Sequence, residues 1–179
     1  MNSAVPIALM STPGSSFDEP FGMLGACHER VLRMLGLLRR LRAHVAAMGV
    51  DQQARQAARD VMRYFDVAAP LHHQDEEQHV FPLLLAQGAF VDEVHRLQRD
   101  HDEMRNLWPR VREVLADVSE GTRTGFAPED EALLQHYCSL YEWHVAAENE
   151  LVYPAARARM DAGALHAMGE DMARRRGIR

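Results

Sequence analysis

The chain has 179 residues, with 20 Lys and Arg against 26 Asp and Glu and a formal net charge of −6. This acidic balance argues against nucleic acid or an anionic membrane as the main partner, because both attract a basic surface. No apolar run approaches the roughly 20 residues of a membrane span. The two cysteines, Cys27 and Cys138, lack a metal-binding spacing. They fit a reducing compartment, so we expect a cytoplasmic protein.

Hydrophobic periodicity predicts four long helices and a short one. Residues 1–19 show no sustained periodicity and predict a mobile arm. The long helices are predicted from Pro20 to about Met48, from Gln52 to Gln87, from Phe90 to Val118, and from Pro128 onward. Each carries a seam of core residues at alternating spacings of three and four. Residues 161–179 predict a short helix, from about Gly163 to Ala173, and a basic tail.

These helices predict an all-α fold. Residues 20–160 are expected to form an up-down-up-down four-helix bundle, because the connecting loops are short and no strand-like alternation occurs. Pro70 and Pro109 fall inside predicted helices and are expected to kink them, since proline removes a helical hydrogen bond.

A motif occurs twice, 72 residues apart. Each copy has a His, a Glu four places on and a Pro ten places on, and the copies are His72, Glu76 and Pro82, and His144, Glu148 and Pro154. A spacing of four places His and Glu one turn apart on the same helix face. The register selects His72 rather than its neighbour His73, which has no counterpart.

Each of the four seams also contains one histidine: His28, His72, His101 and His144. The paired spacings of 44 and 43 residues are those of a duplicated helical hairpin. A lone histidine on a seam is usually a core residue, but four at matched positions indicate a metal site.

The glutamates strengthen this interpretation, because an ionised carboxylate in a core needs a cation. No Lys or Arg lies near them on the seams. Two ions bridged by both glutamates, each also bound by two imidazoles, would use six ligands: His28, His72, Glu76, His101, His144 and Glu148. This donor set suits iron, zinc or manganese. Shared carboxylates in a bundle are most typical of non-haem di-iron sites, with zinc as the alternative.

The remaining candidates carry weaker signals. His79 lies one heptad after His72 and is expected to be a donor behind the ligands or a buried structural residue. His73 points about a quarter turn away and is a weaker competitor for metal. Tyr141, one turn before His144, is expected near the ligand pocket. Four further histidines are expected at the surface or in packing positions: His44, His95, His136 and His166.

These residues resemble the haemerythrin-like family, also called the HHE cation-binding domain. Its pattern is matched over about residues 18–160 by the six candidate ligands and by two aromatic-Pro pairs, Phe81-Pro82 and Tyr153-Pro154. The resemblance implies a di-iron centre with an oxo or hydroxo bridge. Both glutamates would bridge, with His28 and His72 on one iron and His101 and His144 on the other.

Two departures from the oxygen-carrying members refine the resemblance. Those proteins have a second His four residues after the helix-three His, where this chain has Arg105, and an Asp where it has Glu148. The site is therefore more similar to that of iron-centre repair proteins. We expect a protein that binds or reduces O2, NO or peroxide in stress response or sensing. The alternatives are a non-enzymatic iron store or donor for damaged iron centres, and a structural or regulatory bundle with zinc or an empty site.

Overall fold

A computed structural model describes residues 16–178 of the chain. Most of the predicted mobile arm, residues 1–15, lies outside the described residues. Within 16–178 all regular structure is helical and there is no strand. None of these helices has the length and apolar character needed to cross a bilayer.

Seven α-helices and two π-helical turns follow one another in the described residues. The α-helices are α1 (Pro20–Met48), α2 (Gln52–Asp75), α3 (Phe81–Ala86), α4 (Val91–Glu120), α5 (Pro128–Ala147), α6 (Tyr153–Arg157) and α7 (Ala162–Arg175). The π turns are π1 (Glu76–Val80), which joins α2 to α3, and π2 (Glu148–Val152), which joins α5 to α6. Helices α1 and α4 each pack on both α2 and α5, and α7 packs on α1 and α2. The all-α bundle with a short C-terminal helix is confirmed. The observed helix ends lie within two residues of the predicted helix ends.

The helix ends are set by residues that the sequence makes visible. Gly49 ends α1 with φ of 78°, a backbone region that favours glycine, and its N–H donates to the carbonyl of Val45. The Asp51 side chain accepts a hydrogen bond from the N–H of Ala54 at 2.8 Å and caps α2. The Asp161 side chain caps α7 in the same way.

The core consists of two apolar clusters with a polar layer between them. One cluster includes Leu35, Phe65 and Leu115, and the other includes Leu24 and Leu84. Each fully buried side chain of this size stabilises the fold by about 1.5–3 kcal/mol. The layer between the clusters contains the four seam histidines and both motif glutamates, all buried. The apolar clusters thus offset the cost of burying a polar layer.

The π turns correct the predicted seams of the second and fourth long helices. Beyond Glu76 the seam was predicted to continue through His79 and Leu83, whereas Val80 and Leu84 are the buried residues. Beyond Glu148 it was predicted to pass through Leu151 and Ala155, whereas Val152 and Ala156 are buried. A π turn contains one extra residue, so every later position moves by one. The prediction was wrong by this one residue in both helices.

The prolines of the two motifs account for the π turns. The N–H groups of Phe81 and Tyr153 donate to the carbonyls of Glu76 and Glu148, five residues back. The next residue in each case is proline, which has no N–H and whose ring crowds the carbonyl four residues earlier. Widening the turn relieves that contact. The aromatic-Pro pair is therefore the sequence signal of the π turn.

Two other prolines do not end their helices. Helices α2 and α4 continue through Pro70 and Pro109. The bends expected at these positions stay predictions.

The C-terminal helix is attached to α2 by ion pairs. Arg175 and Arg176 lie 3.0 and 2.6 Å from the carboxylate of Asp75, which is fully buried. His79 contacts Asp171 of α7 at 2.8 Å. Helix α7 thus covers the segment that leads into π1.

We expect deletion of Gln78, an exposed residue of π1, to be tolerated far better than deletion of Arg63, an exposed residue of α2. Removing Gln78 converts the π turn to an α-turn, which restores the crowding by Pro82 at a cost of about 3 kcal/mol but leaves the faces on either side in place. Removing Arg63 rotates the following residues by about 100° relative to those before it. Urea unfolding compares the two free energies of unfolding. Equal losses would contradict the idea that π1 contains an extra residue.

Candidate metal centre

The structure brings all six predicted ligands together in the polar layer. They form two groups in which the candidate donor atoms lie within 4.8 Å of one another. One group is His28, His72, Glu76 and Glu148, and the other is Glu76, His101, His144 and Glu148. Both glutamates belong to both groups. Each hairpin of the repeat supplies the two histidines of one group, while the carboxylates are shared.

The distances show that the imidazoles point at the carboxylates. His28 Nε2 lies 3.1 Å from Glu148 Oε2, and His72 Nε2 lies 3.2 Å from Glu76 Oε1. In the second group, His101 Nε2 lies 3.4 Å from Glu76 Oε2, and His144 Nε2 lies 3.1 Å from Glu148 Oε1. The Nε2 atoms of His101 and His144 are only 2.9 Å apart. In each group the donors therefore converge on a small volume.

The carboxylates lack the hydrogen bonds that their burial requires. Among the described residues, Glu76 Oε2 and both side-chain oxygens of Glu148 are buried and have no hydrogen-bond partner. An unsatisfied buried charge costs several kcal/mol, and no Lys or Arg contacts these two side chains within the described part of the chain. A cation between the carboxylates and imidazoles would satisfy them. The donor set therefore fits a metal.

The pKa shifts describe the same electrostatic conflict. Burial, followed by the charge of Glu148, raises the pKa of Glu76. Burial has the largest single effect on Glu148 as well, but its contacts with His144 and His28 outweigh it and hold the pKa well below the usual value. Burial likewise works against a charged His144, yet Glu148 and Asp100 raise its pKa to about 10. Without metal, protons take the place of the cation; metal binding displaces them.

Three of the four histidines are held through the ring nitrogen that faces away from the centre. His28 Nδ1 lies 2.9 Å from Asn149 Oδ1, and His101 Nδ1 lies 2.8 Å from Glu77 Oε1. His144 Nδ1 lies 3.4 Å from Asp100 Oδ2. Such contacts fix the ring orientation and direct Nε2 at the metal position. In each motif it is the residue after the shared glutamate, Glu77 or Asn149, that holds a histidine of a neighbouring helix.

Tyr153 also reaches the centre, although it was not among the predicted site residues. Its hydroxyl lies 3.0 Å from His28 Nε2 and donates a hydrogen bond to Glu76 Oε1. Burial, followed by the charges of Glu76 and Glu148, raises its pKa well above the usual value. The phenol is therefore neutral in the absence of metal. Its counterpart in the repeat, Phe81, packs against His101 with ring centroids 5.5 Å apart and has no oxygen.

The other candidates lie outside the two groups. His73 is buried and stacks on His101 with ring centroids 3.9 Å apart. His79 is neither a donor behind the ligands nor buried, because π1 turns it toward α7 and Asp171. Tyr141 packs against His73. The four histidines expected in surface or packing positions all lie outside the groups: His44, His95, His136 and His166.

A cavity of about 240 Å³ opens between α2, α4 and α5. His73, Tyr137 and Tyr141 line it, together with Gln74 near the surface. Because His73 lines the cavity and stacks on His101, the cavity lies next to the second ligand group. Burial, followed by the charges of neighbouring histidines, lowers the pKa of His73 well below its usual value, so the ring is neutral.

Comparison with known families agrees with this geometry. A family model described as "Hemerythrin HHE cation binding domain" matches residues 20–156, which include every residue of both ligand groups. The chain belongs to this haemerythrin family. Membership and the buried His and Glu groups together identify a metal site in the helical bundle.

Curated relatives of this haemerythrin-family chain share its length to different degrees. An uncharacterized protein of Haemophilus influenzae is 28% identical over 166 residues, which cover 92% of this chain and 94% of the relative. Uncharacterized proteins of Mycobacterium bovis and Mycobacterium tuberculosis are 29% identical over 154 residues. These cover 79% of this chain but 58% of the mycobacterial relatives.

Replacing either shared glutamate, by Glu76→Ala or Glu148→Ala, should abolish binding of both metal ions together. Each carboxylate belongs to both ligand groups, so neither group stays complete. Metal per chain, measured by plasma mass spectrometry after loading and desalting, checks this.

Glu150→Ala is the matched control, because Glu150 is an exposed residue of π2 outside the groups. It should retain the metal content of the unmodified protein. A Glu76→Ala or Glu148→Ala protein that keeps one full equivalent of metal would show that the carboxylates are not shared.

Proposed function

We propose that this chain is a non-haem di-iron protein that binds or reduces a small ligand, such as O2, NO or hydrogen peroxide, in stress response or sensing. The observation that carries the proposal is the pair of ligand groups that share Glu76 and Glu148. The groups lie between helices packed on both sides by apolar clusters, so the donors are held in place before any metal binds.

The donor chemistry favours iron. Imidazole and carboxylate together suit iron, manganese and zinc, and no thiolate is present in either group. Two ions that share carboxylates inside a helical bundle are most typical of di-iron proteins. Bound iron would supply electrons and an open coordination position for an exogenous ligand.

The chain's own residues control what reaches the centre. His73 lies between the cavity and His101, while Asn149, Glu77 and Asp100 keep the imidazoles oriented. Pockets for drug-sized molecules enclose about 300–1,000 Å³. A cavity of about 240 Å³ lies below this range and favours a smaller ligand.

We place the protein in the cytoplasm, because Cys27 and Cys138 are both buried free thiols, as is usual in a reducing compartment. The net charge of −6 supports neither nucleic acid nor an anionic membrane as a partner.

The deciding experiment is the optical spectrum of the anaerobically reduced, iron-loaded protein as O2, NO or hydrogen peroxide is added and then removed. A change that reverses on removal of the ligand indicates a carrier or sensor. A one-way change to a ferric spectrum with iron retained indicates reduction of the ligand. A one-way change with iron passing to a chelator supports the iron-donor alternative. No spectral change with any of the three ligands overturns the proposal.

Blocking the cavity should slow the reaction without removing metal. Gln74 lines the cavity and contacts neither ligand group, so Gln74→Trp should lower the bimolecular rate with the ligand several-fold in stopped flow. Gln78→Trp is the matched control, since Gln78 is exposed on the same continuous helix and does not line the cavity. Equal rates in the two variants would place the route elsewhere.

A further inference from the structure

The hydroxyl of Tyr153 occupies a fixed position among the donor atoms of the first group. Its ring stacks on His28 with centroids 5.0 Å apart and planes 8° apart, and it meets Phe21 edge-on at 5.8 Å. Tyr153 is the first residue after π2. The π turn places Tyr153 on the buried face of the helix, whereas Leu151, a predicted seam residue, is exposed. The oxygen therefore cannot swing away from the site without disturbing the packing.

The distance between this oxygen and His28 is compatible with two ligands of one metal ion. Donors bonded to one metal at about 2.1 Å and at right angles to each other lie about 3 Å apart. The distance from His28 Nε2 to the Tyr153 hydroxyl is 3.0 Å, and that from His28 Nε2 to Glu148 Oε2 is 3.1 Å. Tyr153 thus has the same relation to His28 as a carboxylate of the ligand group.

Hydrogen bonding satisfies these contacts only in part, because the single proton of His28 Nε2 would be shared between Glu148 and Tyr153. His28 Nε2 can carry one proton or one lone pair, yet both Glu148 and Tyr153 approach it within about 3 Å. The Tyr153 hydroxyl has one proton, which goes to Glu76. A cation at the centre of these atoms satisfies His28, Glu148 and Tyr153 at once, and tyrosine oxygen is a known ligand of iron in proteins.

We propose that Tyr153 is a further metal ligand, whose phenolate oxygen binds the ion held by His28 and His72. The inference rests on the proposed di-iron function. Its proton is released to solvent as the metal binds, as happens for other protein ligands that must be deprotonated.

This ligand makes the two metal positions unequal. The position at His28 and His72 has five protein side chains as donors, whereas that at His101 and His144 has four, because Phe81 stands where the repeat would place a second tyrosine. The position with fewer donors is also the one beside His73 and the cavity. An exogenous ligand therefore binds on the side of His101 and His144.

The test is the colour and vibrational signature of the ferric protein. A phenolate bound to ferric iron gives a visible charge-transfer band, and Raman excitation into that band enhances tyrosinate ring vibrations. The unmodified protein should show both. Tyr153→Phe, which removes only the hydroxyl, should lose both while still binding two irons per chain at saturating iron. Tyr141→Phe is the control, because Tyr141 is buried nearby but contacts neither group, and it should keep the signature.

Each other outcome overturns a specific claim. Two bound irons without tyrosinate vibrations in the unmodified protein would overturn the inference and leave the di-iron proposal standing. Loss of the band in Tyr141→Phe, with the band kept in Tyr153→Phe, would show that Tyr141 and not Tyr153 is the ligand. Failure to bind two irons would overturn the di-iron proposal. Loading with colourless Ga³⁺ then tests Tyr153 separately, through the ultraviolet difference spectrum of ionised tyrosine. If Tyr153→Phe does not fold, the Raman spectrum of the unmodified protein decides.

Discussion

The rest of this structure depends on the burial of two neighbouring carboxylates, those of Glu76 and Glu148. Each is fully buried and between them three oxygens lack hydrogen bonds among the described residues, a situation that a folded chain tolerates only with compensation. Four imidazoles surround them, and an apolar cluster lies on either side of the layer. The long helices keep this layer closed to water, so that a cation rather than solvent is left to balance the charge.

The π turns place these carboxylates. Both begin at the glutamate of the motif, and both end where an aromatic residue precedes a proline. A π turn is rare within α-helices and frequently occurs at functional sites. Here it brings Phe81 and Tyr153 onto the core face, one against His101 and the other against His28. The local cost in helical hydrogen bonding is offset by the packing of the layer.

The fold and the six candidate ligands could be predicted because their signals are local. Helical periodicity, the caps at Gly49 and Asp51 and the repeated motif each lie within a few residues of the feature that they specify. The one-residue shift after Glu76 and Glu148 was missed because periodicity assumes a constant number of residues per turn, although the aromatic-Pro pairs carry the signal. For the same reason His79 was expected on the wrong face.

Contacts between helices were harder to predict. Asn149 holds His28 across 121 residues of sequence, and Tyr153 approaches the same imidazole across 125. The spacing of residues along one helix does not predict which polar side chain of another helix contacts it. The repeat contains part of this information, since Asn149 and Glu77 each follow the glutamate of their motif. One is an amide and the other a carboxylate, so the sequence does not show that both hold a histidine.

The two hairpins that carry the repeated motif lie in a single polypeptide. Two identical hairpins associating as a symmetric dimer would carry the same residue at both copies of every position. Joining them in one polypeptide removes that restriction. Here a carboxylate in one half matches an amide in the other, Glu77 against Asn149, and a phenyl ring matches a phenol, Phe81 against Tyr153. Because both hairpins belong to one polypeptide, the two sides of the centre carry different residues at matching positions.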